Sequence, residues 1–367
     1  MVVVTINHRL GCLGYLHLAD LGAPAEFAQS GVVGMLDCVA ALEWVRDNIE
    51  NFGGNPANVM VFGQSGGGAK TGTLLSMPAA KGLFHRAAIQ SGPTLRLTTR
   101  ENATRSAERF LAQIGLTKNR IRELQDVPFS MMVAAQDVLG AQTPPAGFAP
   151  VVDGTVIPRH PFDPTAPEVS ADVPIIVSTT LDDAALGLTN FDLDDAGLKT
   201  FVKTVAADRA DQVLSAYRKA YPNASPFLIQ ARILTDRGWR RAASTLVERK
   251  AALHRAPAYY YLFAWPSPGA GGKFGAVHGI DVGLTFHNYG DEFTGNSPEV
   301  RAIADKLASA WVAFAKTGNP NHPGLPEWPA YAPETRPTLI FDKETRVEND
   351  PLHDLRLLWE GMPRAIQ

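Results

Sequence analysis

Gly63-Gln64-Ser65-Gly66-Gly67 sets a serine between glycines at Gly-x-Ser-x-Gly spacing. An apolar run, Val59-Met60-Val61-Phe62, precedes it, and a small-residue segment continues to Met77. Strand, tight turn and helix in that order predict a nucleophile elbow, where the turn lifts a serine hydroxyl above a sheet at a helix N-terminus. The glycines are expected because the turn is strained and the helix packs closely on the strand. The chemistry implied is acyl transfer. A neutral serine is a poor nucleophile, so the chain must also supply a base for its proton and a carboxylate that orients the base. It must supply N–H donors for an oxyanion as well.

Positioning such groups requires a sheet, and the chain alternates strand and helix patterns. Val2 to Asn7 is a continuous apolar run rich in β-branched residues, expected as a strand buried on both faces. Met35, Val39, Leu42, Val45 and Ile49 recur at spacings of three and four, predicting a helix over about 34–51 that Gly53, Gly54 and Pro56 end. Further strands are expected at 87–90, 173–178, 258–264 and 338–342, and helices at 102–114 and 127–139. Ser297 reads as an N-cap with Pro298 at the first helical position. Val300, Ile303, Leu307, Trp311 and Phe314 then share a face, and Gly318 stops the helix. The tail beyond reads as mostly irregular. This is the alternation of a parallel sheet flanked by helices, an α/β fold with a mostly parallel twisted sheet. The expected organisation is one domain over 1–367, with helical insertions at about 98–142 and 193–254 forming a lid.

Composition narrows the function classes. The 367 residues are 45% hydrophobic, and 34 basic against 37 acidic residues give a net charge of -3. No basic block stands out, so no nucleic-acid partner is expected. No apolar run reaches membrane-spanning length. The opening residues lack the basic start and long apolar core of a signal peptide, and a cytoplasmic location is the expectation. Cys12 and Cys38 show no metal or redox spacing, and the nine histidines form no His-Glu-x-x-His pattern. Neither a metal nor a cofactor is expected.

Several stretches in order resemble one family. They are Val3 to Gly11, Gly34 to Asp37, Trp44 to Ile49, and Phe52-Gly53-Gly54-Asn55-Pro56, followed by the elbow. Gly82 to Ala87, Gln90-Ser91-Gly92, Pro150 to Gly154, Gly275-Ala276-Val277-His278-Gly279 and Thr317-Gly318-Asn319-Pro320 complete the set. Together they resemble the type-B carboxylesterases of the para-nitrobenzyl esterase kind, which have the α/β-hydrolase fold. The resemblance implies a serine hydrolase acting on small carboxylic esters through an acyl-enzyme. It implies His278 as the base, which on residues alone is one histidine among nine. It places the acid at Asp183, where the family has glutamate, with the neighbouring Asp182 as the alternative. Ser65, Asp183, His278 is then the α/β-hydrolase chain order. Gly66, where the family usually has alanine, would give one oxyanion N–H. Lys70 lies five residues beyond Ser65, outside the Ser-x-x-Lys spacing, and is not expected to act in catalysis.

The family's remaining oxyanion donors come from a His-Gly-Gly-type loop, and no such motif occurs in this sequence. Losing one donor costs roughly 10² to 10³ in turnover. Impaired activity is therefore an expectation, and a catalytically inactive binding module or remnant on the same fold is the alternative. The sequence also predicts that the chain is N-terminally incomplete, lacking an interior strand between Val2–Asn7 and the elbow strand. The flanking strands would then expose unpaired backbone and apolar faces, or pair with each other.

Overall fold

A computed structural model describes residues 1–362. The chain folds as two compact units. The first holds 1–59, 72–85 and 95–170; the second holds 60–71, 86–94 and the chain from Ala171 onward.

The first unit is helical. Helix Val33–Asn48 buries Met35, Val39, Leu42 and Val45 at the predicted spacing. Helix Arg100–Gln113 starts at Thr99, whose side chain accepts the Asn102 N–H, and helix Phe129–Gly140 follows. Leu16, Leu18, Phe110, Leu111, Met132 and Leu139 form the core between them. Cys12 and Cys38 are both buried, and neither is in a disulfide. The strand expected at Val2 to Asn7 does not form. β-branched side chains favour extended backbone, but a strand also needs a neighbour for its N–H and C=O groups. Among the described residues no strand pairs with this segment, and Val2, Val3, Val4 and Ile6 remain 42–54% exposed.

The second unit is built on a six-stranded sheet in the order β1 (Met60–Gln64), β2 (Arg86–Gln90), β3 (Ile175–Thr180), β4 (Ala258–Phe263), β5 (Pro337–Phe341) and β6 (Arg346–Asn349). The first five are parallel, and β6 closes the far edge antiparallel to β5. Every residue of β3 and β4 is buried, Ser178, Thr179 and Thr180 included, as in strands covered on both faces. Helix Pro298–Thr317 begins where Ser297 accepts the Val300 N–H, and ends at Gly318 with φ +79°. Its predicted face packs against Tyr259, Tyr261, Phe263 and Phe341. Each such side chain, fully buried, contributes about 1.5–3 kcal/mol. β1 is the other edge strand, paired only with β2 among the described residues. Its Phe62 is 37% exposed and leans on Trp311 and Phe286.

Between β3 and β4 the chain forms helices Asp195–Ala206, Ala210–Ala220, Pro226–Thr235 and Arg241–Ala251. A π-helical turn, Asp236–Arg240, joins the last two. The tail is not irregular as expected. β6 and the helix His353–Leu358 form there, and Leu355, Leu358 and Trp359 pack against Leu198, Val213 and Tyr217.

Candidate active site

Directly after β1, Ser65 has φ +56°, in the left-handed region that a side chain with a Cβ seldom occupies. Such a conformation costs on the order of 1–3 kcal/mol and persists only where its surroundings hold it. Two backbone bonds do so. The Ser65 N–H donates to Gln90 O at the end of β2 (2.8 Å), and the Ser65 carbonyl accepts the Ala69 N–H (2.9 Å). The glycines let the chain come this close. A Cβ on Gly63 would lie 2.3 Å from the Gly67 carbonyl carbon, and one on Gly92 would lie 2.1 Å from the Ser65 carbonyl oxygen. Gly66 is different, since its Cβ would meet only the Lys70 ammonium at 3.6 Å. We therefore expect Gly92→Ala to destabilise the fold by about 3 kcal/mol. Gly66→Ala should change stability by less than about 1 kcal/mol. Urea unfolding of both variants measures this, and a Gly92→Ala chain as stable as the parent would refute the packing argument.

Ser65 follows β1, Asp183 follows β3 and His278 follows β4. Because these strands are parallel, all three residues leave the same edge of the sheet, the carboxyl edge where α/β sites form. Asp183 and His278 meet directly, with Nδ1 of the imidazole 2.7 Å from Asp183 Oδ1. The second carboxylate oxygen accepts the Thr180 N–H at 3.0 Å, and the Asp183 side chain is fully buried. An acceptor at Nδ1 puts the proton there and leaves Nε2 as the basic nitrogen. The turn after His278 lies against the elbow, since a Cβ on Gly279 (φ +83°) would be 3.5 Å from the Gln64 side chain. Among the described residues no hydrogen bond joins Ser65 to His278. Gly66 opens the elbow helix Gly66–Leu74, so its N–H has no intrahelical acceptor. The Lys70 ammonium donates to Gly66 O at 3.3 Å.

Asp182, the alternative acid, faces the other way. Its Oδ1 accepts Arg232 Nε at 2.7 Å and its Oδ2 accepts the Ala276 N–H at 2.8 Å. Its own N–H donates to Ala276 O at 3.0 Å, and the Arg232 guanidinium lies 4.1 Å from the Tyr221 ring centre. Gly275 has φ +62°, and a Cβ there would overlap the Asp182 carboxylate. The segment leading to His278 is thus fastened to the residue beside Asp183. Burial pushes the Asp182 carboxyl up, and Arg232 opposes that shift.

Several groups near the Asp183–His278 pair carry no sequence mark. Trp239, on the π-helical turn, stands with its ring 6.2 Å from the imidazole. Asp281, three residues beyond His278, is fully buried and accepts the Tyr261 hydroxyl proton at 2.7 Å. The Gln90 amide nitrogen lies 3.1 Å from both Asp281 and Thr285. This joins the strand end that holds Ser65 to the helix after His278. Burial pushes the Asp281 carboxyl up. Among the described residues no cluster of three or more histidine, cysteine or acidic side chains could hold a metal, and no helix is long and apolar enough to cross a membrane.

Comparison with known proteins gives consistent matches. A family model described as the carboxylesterase family matches residues 1–355. The para-nitrobenzyl esterase of Bacillus subtilis (strain 168) is 35% identical over 373 residues, covering 97% of this chain and 72% of the relative. The phenmedipham hydrolase of Pseudarthrobacter oxydans is 31% identical, over 94% of this chain and 69% of its own length. Among solved structures, a Geobacillus stearothermophilus carboxylesterase superposes with TM-score 0.82 at 34% identity, over 96% of this chain and 74% of that one.

Proposed function

This chain belongs to the carboxylesterase family, and on that premise we propose that Ser65, His278 and Asp183 hydrolyse small carboxylic esters through an acyl-enzyme. The observation that carries the reading is the buried Asp183 carboxylate 2.7 Å from His278 Nδ1, at the sheet edge where the strained Ser65 also sits. His278 Nε2 takes the Ser65 proton as Oγ adds to the ester carbonyl, forming a tetrahedral oxyanion. The same proton then passes to the leaving alcohol. Water, activated by the same imidazole, releases the carboxylic acid and restores the serine. The Gly66 N–H donates to the oxyanion. One such donor contributes roughly 10² to 10³ in turnover. Trp239 lies beside the His278 imidazole, and the helical segment 193–254 that carries it is assigned to the lid.

One observation favours a second reading, a binding module without turnover: among the described residues no hydrogen bond joins Ser65 to His278. Resting sites often have loose geometry of this kind, which tightens around substrate. A fluorophosphonate probe separates the two readings. Covalent labelling located to Ser65 by peptide mass spectrometry, and blocked by Ser65→Ala, is the expected result. Folded protein that takes up no probe would overturn the hydrolase reading in favour of the binding module.

A further inference from the structure

Away from the triad, the second unit encloses a cavity of about 60 Å³ between the π-helical turn, β4 and the segment after β6. Arg240, Arg241, Tyr260, Tyr331, Arg336 and Arg356 are among its lining residues. We propose that this cavity is a binding site for one small anion of halide size.

The argument rests on a surplus of donors. The lining carboxylates are already engaged: Asp236 by Arg240 and the Tyr217 hydroxyl, and Asp350 by Arg356 and His353. Arg336 is paired with Glu248. The donors are not used up in the same way. Arg240 directs Nη1 to Asp236 and Nη2 to Leu181 O (3.1 Å), which leaves its buried Nε–H without an acceptor among the described residues. The Tyr331 oxygen accepts from Arg336 Nη1 at 3.2 Å, so its own O–H proton has no acceptor among the described residues. Arg241 is only partly exposed and makes no ion pair among the described residues. Burial and the neighbouring Arg237 charge disfavour its charged form, and Glu360 is the nearby charge that opposes them. An occupant that only accepts hydrogen bonds suits a cavity with this surplus of donors. A neutral polar ligand would bring donors of its own and find the acceptors already taken. The volume admits a halide with a few waters and excludes anything as large as a sugar or nucleotide. Guanidinium groups are weakly hydrated and always charged, so they lose little on being held around such an ion.

The test uses the full chain. Sodium bromide is titrated at constant ionic strength, made up with sodium gluconate, and the thermal unfolding midpoint is followed. A ligand bound only by the folded state raises the midpoint with a saturable dependence on concentration. We expect saturation for the parent protein and a half-saturation point shifted up by about tenfold in Arg241→Gln, the factor that loss of one charge-assisted hydrogen bond gives. Tyr331→Phe keeps the packed ring and removes only the hydroxyl, so it should also weaken the response and serves if Arg241→Gln does not fold. In bromide-soaked crystals an anomalous peak belongs within hydrogen-bonding distance of Arg240 Nε. A midpoint that bromide does not raise above gluconate, a response unchanged in both variants, or a cavity holding only water would each overturn the proposal.

Discussion

Replacing Ser65 by alanine is expected to lower kcat for p-nitrophenyl butyrate by about 10⁴- to 10⁶-fold, with the fold intact. The loss is large because Ser65 Oγ is the atom that forms the acyl bond in the proposed mechanism. Position 65 is fixed by the Gln90 and Ala69 bonds, and the His278 imidazole is fixed by Asp183. Comparing alanine with glycine at this position separates chemistry from strain. Ser65→Ala keeps a Cβ at φ +56° and so keeps the strain. Ser65→Gly removes a cost of about 1–2 kcal/mol while losing about 0.5–1 kcal/mol through the freer unfolded chain. The glycine variant should therefore be as inactive as the alanine variant, yet more stable by roughly 0.5–1 kcal/mol in urea unfolding. That pattern would show that the conformation is held for the nucleophile at the expense of stability. Ester hydrolysis that survives Ser65→Ala would sink the assignment outright.

What can be read from the sequence is what local rules determine. Helix Pro298–Thr317 has its cap, first-position proline, apolar face and stop glycine all written in consecutive residues, and it forms where they say. The buried runs of β3 and β4 are similar, because a strand covered on both faces needs no alternation to be recognised. Val2 to Asn7 has the same kind of composition and forms no strand, since pairing depends on a neighbour and not on the run itself. β6 escapes the pattern for the opposite reason. Arg346-Val347-Glu348-Asn349 is short and polar, and its strand character comes from pairing with β5. Within the site, the elbow is legible from its glycines, although only the folded chain distinguishes Gly92, which admits no Cβ, from Gly66, which does. The π-helical turn leaves no trace in the pattern, because one extra residue per turn shifts the helical face without changing residue types. Trp239 and its place beside the imidazole therefore emerge only in three dimensions.

The neighbours Asp182 and Asp183 show that limit most sharply, and they make the second large prediction. Both are buried aspartates on one loop, and the sequence alone leaves either as the acid. Asp183→Asn should reduce kcat by about 10⁴-fold with little change in KM or unfolding midpoint. The amide oxygen can still accept the Thr180 N–H, so the loop is kept. The NH₂ group then faces His278 Nδ1 and forces the imidazole into the tautomer whose Nε2 carries a proton and cannot act as base. Asp182→Asn should act mainly on stability. Its two oxygens meet two donors, Arg232 Nε and the Ala276 N–H, and an amide can satisfy only one of them. The buried guanidinium also loses its counter-charge, which costs about 3–5 kcal/mol. The folded fraction should keep most of its kcat, because His278 still has its carboxylate. Measuring kcat and the urea midpoint on both variants gives a crossed pattern, activity lost at one position and stability at the other. The reverse pattern, with Asp182→Asn stable and inactive and Asp183→Asn active, would move the acid to Asp182. The 2.7 Å contact at Asp183 would then be a resting arrangement that catalysis does not use.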